Sequence, residues 1–428
     1  MVGGGYPRTT SKISVIKERA FRTPISTKDA PLTYALAMDA PEEGELSLLR
    51  SKLKKEKRYT VGGGRTANKL AELGYEAVDE ALSFYLQTAR FLFGAMGACV
   101  TTGTSYAPVK SGTVASGQGT AVLNLGIVMV PDAHIGDMLE VTFLVAPLTR
   151  RFAIIDNDAS TVTLDIASPA DTNGKAFGIK TAPFIHDITQ GTTCKPPTFA
   201  MRFDLPNECG DAAQRIVSDL LGIIIKTWEL TLEKGGDGIQ NVGILGAKSV
   251  DGVTFTNPDD LPLDTLKWGH VSVFHIDYNA EQVIHKDICD SIKHSIENGA
   301  SIDPTVGDFY PNYIKYGTVD HTFTFNYYPR TKTFYDLRNK AIKDYVTAIT
   351  GVMEIIYSAD RFIKFTLNSL ILMEHPEGIP TKDDNIMGVE AELGLMPRDN
   401  PALLPEGTVV VQAKDDLGIE YFEGSYSP

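Results

Sequence analysis

"KTWELTLEKGGDG", Lys226 to Gly238, alternates and then breaks. Trp228, Leu230 and Leu232 fall on one face; Thr227, Glu229, Thr231 and Glu233 fall on the other. Period-two alternation ending at Gly235-Gly236 predicts half of a β-hairpin with carboxylates outward. "NVGILGAKSV", 241–250, supplies the returning strand. The glycine-rich loop raises the question of a phosphate site. A P-loop needs G-x-x-x-x-G-K-[ST] opening a helix. Here Ala247 separates Gly246 from Lys248, and "VDGVTFTNPDD" follows, which is no helix. "VGGGRTANK", 61–69, fails because no apolar strand precedes its glycines. The first loop therefore reads as a hairpin turn, and neither reads as a phosphate cradle.

Outward from the hairpin, strands dominate. "PPTFAMRFDLP" alternates Phe199, Met201 and Phe203 on one face. "SIKHSIENGA" ends on Asn298-Gly299, a hairpin turn signal, and "DHTFTFNYYP" aligns Phe323, Phe325 and Tyr327. "ITGVMEIIYSADRFIKFTLNSLILMEHPEG" gives two strands around "SAD". Between 109 and 183, short β-like runs separated by Gly, Asp, Pro and Asn predict a small all-β insertion. Two stretches have helical spacing. One contains Leu82, Tyr85, Leu86, Ala89, Phe91, Leu92 and Phe93; the other is "TFYDLRNKAIKDYV", with Phe334, Leu337, Ala341 and Tyr345. "RSKLKKEKRYT", 50–60, reads as a solvated face in an irregular N-terminal arm.

"IKTWELTLEKGGDG" can be laid over "FTLNSLILMEHPEG", placing Leu230 and Leu232 on Leu370 and Leu372. "TFAMRFDL" and "TFTFNYYP" form a second such pair upstream. The two overlays predict a weak internal duplication.

The chain has 428 residues, 43% hydrophobic and 22% charged, with a formal charge of −14. That length suits two or three domains. The acidic balance disfavours binding nucleic acid through its phosphates. No apolar run reaches the roughly 18 residues of a membrane span. The N-terminus has no apolar core segment of a secretory signal. The four cysteines, Cys99, Cys194, Cys209 and Cys289, form no CxxC pair and read as reduced thiols of a cytoplasmic product.

No constellation for chemistry emerges. "HKDICDSIKH" offers His285, Asp287, Cys289 and His294, but alternation scatters them. "DNDAS", 156–160, lacks a full calcium loop and reads as a turn. There is no G-x-S-x-G and no H-E-x-x-H. The expectation is no enzyme, no cofactor and no metal. Long amphipathic strands remain, with edges that invite pairing.

At this point the chain resembles the tail tube proteins of long, non-contractile-tailed viruses. The residues are "YLQTARFLFGAMGACVTTGTS", 85–105; "HDITQGTTCKPPTFAMRFDL", 186–205; "LLGIIIKTWELTLEKGGDGIQNVGILGAKSV", 220–250; and "DSIKHSIENGASIDP", 290–304. The patterns are loose, and the insertion departs from the minimal family form. The resemblance implies a mainly β fold. Two tandem tail-tube-type β-sandwich or barrel modules, each with a flanking helix, would carry an inserted small all-β domain. The boundaries expected are an arm at 1–60, a first module at 61–108 with 184–250, the insertion at 109–183, a second module at 251–410 and a tail at 411–428.

The function so implied is a structural, self-assembling subunit of the virion tail, made in the host cytoplasm. Rings of three or six copies, a pseudohexameric trimer by preference, would stack around a channel for genomic DNA during ejection. Tape measure and tail terminator or tip proteins are the other partners implied, and no membrane. A tail completion protein is a variant of this reading. Trp228, Leu230, Leu232, Leu370 and Leu372 are the expected core of the long hairpins. Glu229 and Glu233 are candidates for an acidic lumen along which DNA slides; placement on a solvated outer face is equally open. The alternative class is a β-rich fibre, adhesin or carbohydrate-binding protein acting through the insertion.

Overall fold

Ile216 to Glu233 runs as one strand of 18 residues, so the quoted stretch is its second half. The computed structural model describes residues 12–18, 21–22, 35–36, 51–56, 69–75, 78–103, 108–143, 148–191, 197–205, 216–251, 260–278, 281–304, 311–315, 317–328, 349–374, 389–396 and 406–418. The fold is mainly β, and one short α-helix stands among the described residues.

In chain order the strands begin with β1 (Lys12–Lys17), β2 (Ser51–Glu56), β3 (Lys69–Tyr75) and β4 (Val78–Tyr85). Helix α1 (Arg90–Met96) leads into β5 (Gly97–Gly103). Then come β6 (Lys110–Thr113), β7 (Val122–Asn124), β8 (Met138–Phe143), β9 (Leu148–Asn157), β10 (Thr161–Leu164) and β11 (Ala176–Lys180). The chain continues through β12 (Phe184–Gln190), β13 (Phe199–Leu205), β14 (Ile216–Glu233), β15 (Ile239–Gly246) and β16 (Lys248–Asp251). It closes with β17 (Val271–Tyr278), β18 (Glu281–His285), β19 (Cys289–Glu297), β20 (Ser301–Pro304), β21 (Pro311–Lys315), β22 (Asp320–Tyr327), β23 (Ile349–Ser358), β24 (Arg361–Glu374), β25 (Val389–Leu395) and β26 (Thr408–Asp415).

The pairing pattern occurs twice. β14 pairs with β13 and β16 along its first part, then with β15 and β19 along its second. β24 pairs with β23 and β26 first, then with β25. Each long strand carries one left-handed residue where its partners change: Gly222 at φ 65° and Ser369 at φ 54°. Both positions sit in a bulge, because Phe199 and Met201 face Ile223 and Leu220, just as Ile349 and Gly351 face Leu370 and Leu367. β1 flanks β13 as β17 flanks β23, and β4 flanks β15 as β22 flanks β25. The ribbon β2–β3 precedes β4 as the ribbon β20–β21 precedes β22. Residue-by-residue register therefore corrects the overlay drawn from sequence. Leu370 corresponds to Ile223, not to Leu230, and β13 corresponds to β23, not to β22. The offset of seven residues is odd, because the inward face of β14 passes from Ile223 and Ile225 to Trp228 and Leu230 across the irregularity between Ile225 and Thr227, so alternation alone could not set the alignment.

The two sets share one sheet and one core. β19 hydrogen-bonds to β14 on one side and β22 on the other. A single apolar cluster runs from Val15, Phe91, Phe199 and Trp228 to Phe325, Phe365, Leu393 and Val411. Trp228, Leu230, Leu232 and Leu370 are buried in it, and Leu372 packs against it partly buried. Each full burial of this kind stabilises the fold by about 2 kcal/mol. Strands β6 to β11 form a six-stranded sheet with its own core around Leu139, Phe152, Ile154 and Ile179. β5 and β12 pair at its neck, and β12 continues onto β26.

Several expectations need correction. The helical pattern before Arg90 is not a helix: β4 runs extended, and Leu82 and Phe84 turn into the core as its ladder with β15 requires. Only Arg90–Met96 is helical, and it packs on β14 and β12. The N-terminal arm contains β1, a buried strand of the main sheet, and β2 takes up residues 51–56 of the charged stretch. A boundary between 410 and 411 falls inside β26, so no tail begins there. Asn298-Gly299 does not close a tight hairpin; the β20–β21 ribbon is inserted between β19 and β22. The stretch with helical spacing at 333–346 lies outside the described residues, as do Cys194 and Cys209.

Candidate functional site

The polar face of β4, β15, β14, β19 and β22 is the best candidate surface. On β14 the side chains opposite Trp228, Leu230 and Leu232 are Thr227, Glu229, Thr231 and Glu233. Glu229 Oε2 lies 2.8 Å from Lys293 Nζ on β19. Glu229 Oε1 accepts from Asn241 Nδ2 at 3.3 Å, and Asn241 Oδ1 accepts from Ser83 Oγ at 2.6 Å. A hydrogen-bonded chain thus crosses four strands on the solvent side. Beside it is a groove of about 380 Å³, lined by Ala81, Thr227, Asn241, Ser295, Glu297 and Asp320 among others. Asp79, Glu229, Glu297 and Asp320 outnumber Lys226 and Lys293 here, so the face is acidic. Glu233 is exposed at the hairpin tip, opposite Ser291.

Amide groups of the glycine-rich turn are taken by backbone carbonyls of the protein. Gly236 N donates to Glu233 O at 2.9 Å, and Gly238 N donates to Leu266 O at 2.8 Å. Gly235 takes φ 84°, which a glycine adopts without strain. With these N–H groups committed, the loop makes no phosphate cradle. Residues 61–68 of the other glycine loop lie outside the described residues.

The suspected metal residues diverge. His285 Nδ1 is 3.8 Å from Asp287 Oδ2 at the surface, while His294 is fully buried in the core. Burial pushes the Cys289 thiol up to about 12, and the thiol donates to Ser291 O at 3.1 Å. Among the described residues no three potential ligands converge. In "DNDAS", Asp158 N donates to Thr161 O at 2.9 Å, closing the turn between β9 and β10.

One constellation escaped sequence reasoning. Thr101 Oγ1 lies 2.9 Å from His186 Nδ1, and His186 Nε2 lies 3.2 Å from Asp415 Oδ1. Hydroxyl, imidazole and carboxylate in this order resemble an acyl-transfer relay. Thr101 and His186 are both 0% exposed, however, so the hydroxyl has no solvent face for a substrate to approach. The relay instead ties β5, β12 and β26 together. Its members stand far apart in the chain, and no local motif marks them. Arg202 and Asp219 form a second buried device, a two-pronged ion pair at 2.6 and 2.7 Å joining β13 to β14.

No helix among the described residues is long and apolar enough to cross a membrane. The chain matches no protein-family model and no curated protein sequence.

Proposed function

We propose that the chain is a structural subunit of a viral tail tube, built from two tail-tube-type modules and carrying no catalysis. One observation carries this reading: the junction inside the chain is of a kind that a second copy can continue. β14, β19 and β22 form a continuous ladder between the two sets of strands. β4 holds in the first set the place that β22 holds in the second, yet β4 pairs only with β15 among the described residues. An unpaired edge of this kind invites another chain, and closure into a ring removes it. Three copies then present six modules around a channel.

The acidic face bearing Glu229 and Glu233 suits a lining along which DNA slides without adhering. Partners under this reading are further copies, a tape measure protein and terminator or tip proteins, within the virion tail. Light scattering after size exclusion and negative-stain imaging test it. Trimeric rings or hollow tubes are expected; monomers at every concentration overturn it.

A β-rich fibre or carbohydrate-binding protein is the second reading. The loop of the inserted sheet favours it, because Val128 and Val130 are 83% and 70% exposed there. Deleting 109–183 separates the two: a tube subunit still forms rings, whereas a fibre loses its binding surface.

A further inference from the structure

Two histidines occupy the heart of the junction strand and its neighbour. His294 on β19 and His321 on β22 are 0% and 2% exposed. Their rings stack at 5.5 Å, with His294 Nε2 3.2 Å from His321 Nδ1. Phe323 stacks on His294 at 4.1 Å, and Trp228 and Phe365 meet it edge-on. The outer nitrogens, His294 Nδ1 and His321 Nε2, are buried with no hydrogen-bond partner among the described residues.

Only one proton can lie between the two facing nitrogens. Either neutral arrangement therefore leaves one N–H and one lone pair unanswered in the apolar core. A first added proton places an imidazolium there with no counter-charge. A second removes the last acceptor and sets two N–H groups against each other. The neighbours offer no relief. β14 contributes Trp228 and Leu230, β22 contributes Phe323, and β24 contributes Phe365. Glu297 and Asp320, next in sequence to this region, line the groove on the opposite face.

We propose that the His294–His321 pair is an acid-sensitive seam, whose protonation opens the β19–β22 ladder and loosens the junction between the two halves of the sheet. Burial lowers both imidazoles, His321 to about 4 from 6.5. Stability from His321 is complete above pH 6.5 and is lost as pH falls through about 4, and His294 acts in the same direction. At pH 5 the open form gains about 30-fold on the closed one from His321 alone.

Amide hydrogen exchange at pH 7.5 and 5, corrected for intrinsic rates, tests this on the unaltered protein. Protection along β19 and β22 should fall at least tenfold relative to β8–β9 of the inserted sheet. The doubly substituted His294→Leu/His321→Leu protein should lose that fall. Unchanged protection in the unaltered protein, or the same fall in the double variant, overturns the proposal. Imidazole NMR of the unaltered protein decides the matter if the variant does not fold. Both rings must be neutral at pH 7, and loss of ladder protection must follow their titration. A charged ring inside an intact ladder overturns it.

Discussion

The two corner bulges, at Gly222 and Ser369, solve one steric problem in opposite ways. At the first, the left-handed residue is glycine and the residue before the returning strand β16 is Ala247. At the second, the left-handed residue is Ser369 and the residue before β26 is Gly407. A Cβ on Gly222 would lie 2.9 Å from Ala247 Cβ and 2.7 Å from Phe21 Cε2. A Cβ on Gly407 would lie 2.7 Å from Ser369 O and 2.5 Å from Met396 N. At the first corner the crowding comes from side chains, Phe21 and Ala247; at the second it comes from backbone atoms. The polar ends differ too. Gly222 N donates to the Glu18 carboxylate at 2.7 Å, while Ser369 O accepts from Met396 N at 2.9 Å.

The largest effect should come from filling the first corner. Gly222→Ala combines left-handed strain with overpacking and should cost about 3–4 kcal/mol in urea unfolding. Adding Ala247→Gly, which copies the second corner, should restore about 1 kcal/mol of that loss. Strict additivity of the two changes would show that the corners are not interchangeable.

Glu18→Gln should come next. Burial raises Glu18 to about 7 from 4.5, so the fold holds its proton more tightly than the open chain does. The stability this group contributes is complete below pH 4.5 and is lost as pH rises through 7, about 3 kcal/mol across the whole window. The glutamine variant should flatten that slope between pH 5 and 8. A slope equal to the parent's would remove Glu18 from the account. Ser369→Gly relieves the positive φ at the second corner and should add about 1 kcal/mol, read as a raised urea midpoint. Glu229→Gln is the smallest. Its pair with Lys293 is partly exposed, so the loss should stay near 0.3 kcal/mol.

Much of the ladder is legible in the sequence. Alternation located the buried face of Trp228, Leu230 and Leu232, because side chains on a strand have a period of two. "SAD" marked the turn between β23 and β24, and glycines marked the turn after β14. Around β4, Leu82, Leu86 and Ala89 satisfy a helical spacing. Phe84 and the vacant edge of β15 decided against it. The Thr101–His186–Asp415 relay and the His294–His321 pair had no signature, since their members meet only across paired strands.

Local pattern thus determined which residues of β14 face inward, where its turn falls and that this turn cannot hold phosphate. Those properties depend on side-chain type and on backbone freedom over a few positions. Partner choice, the bulge register and the shared core were decided only in three dimensions. An amphipathic strand offers the same backbone groups to any neighbour, so packing against distant segments selects among pairings that sequence leaves equal.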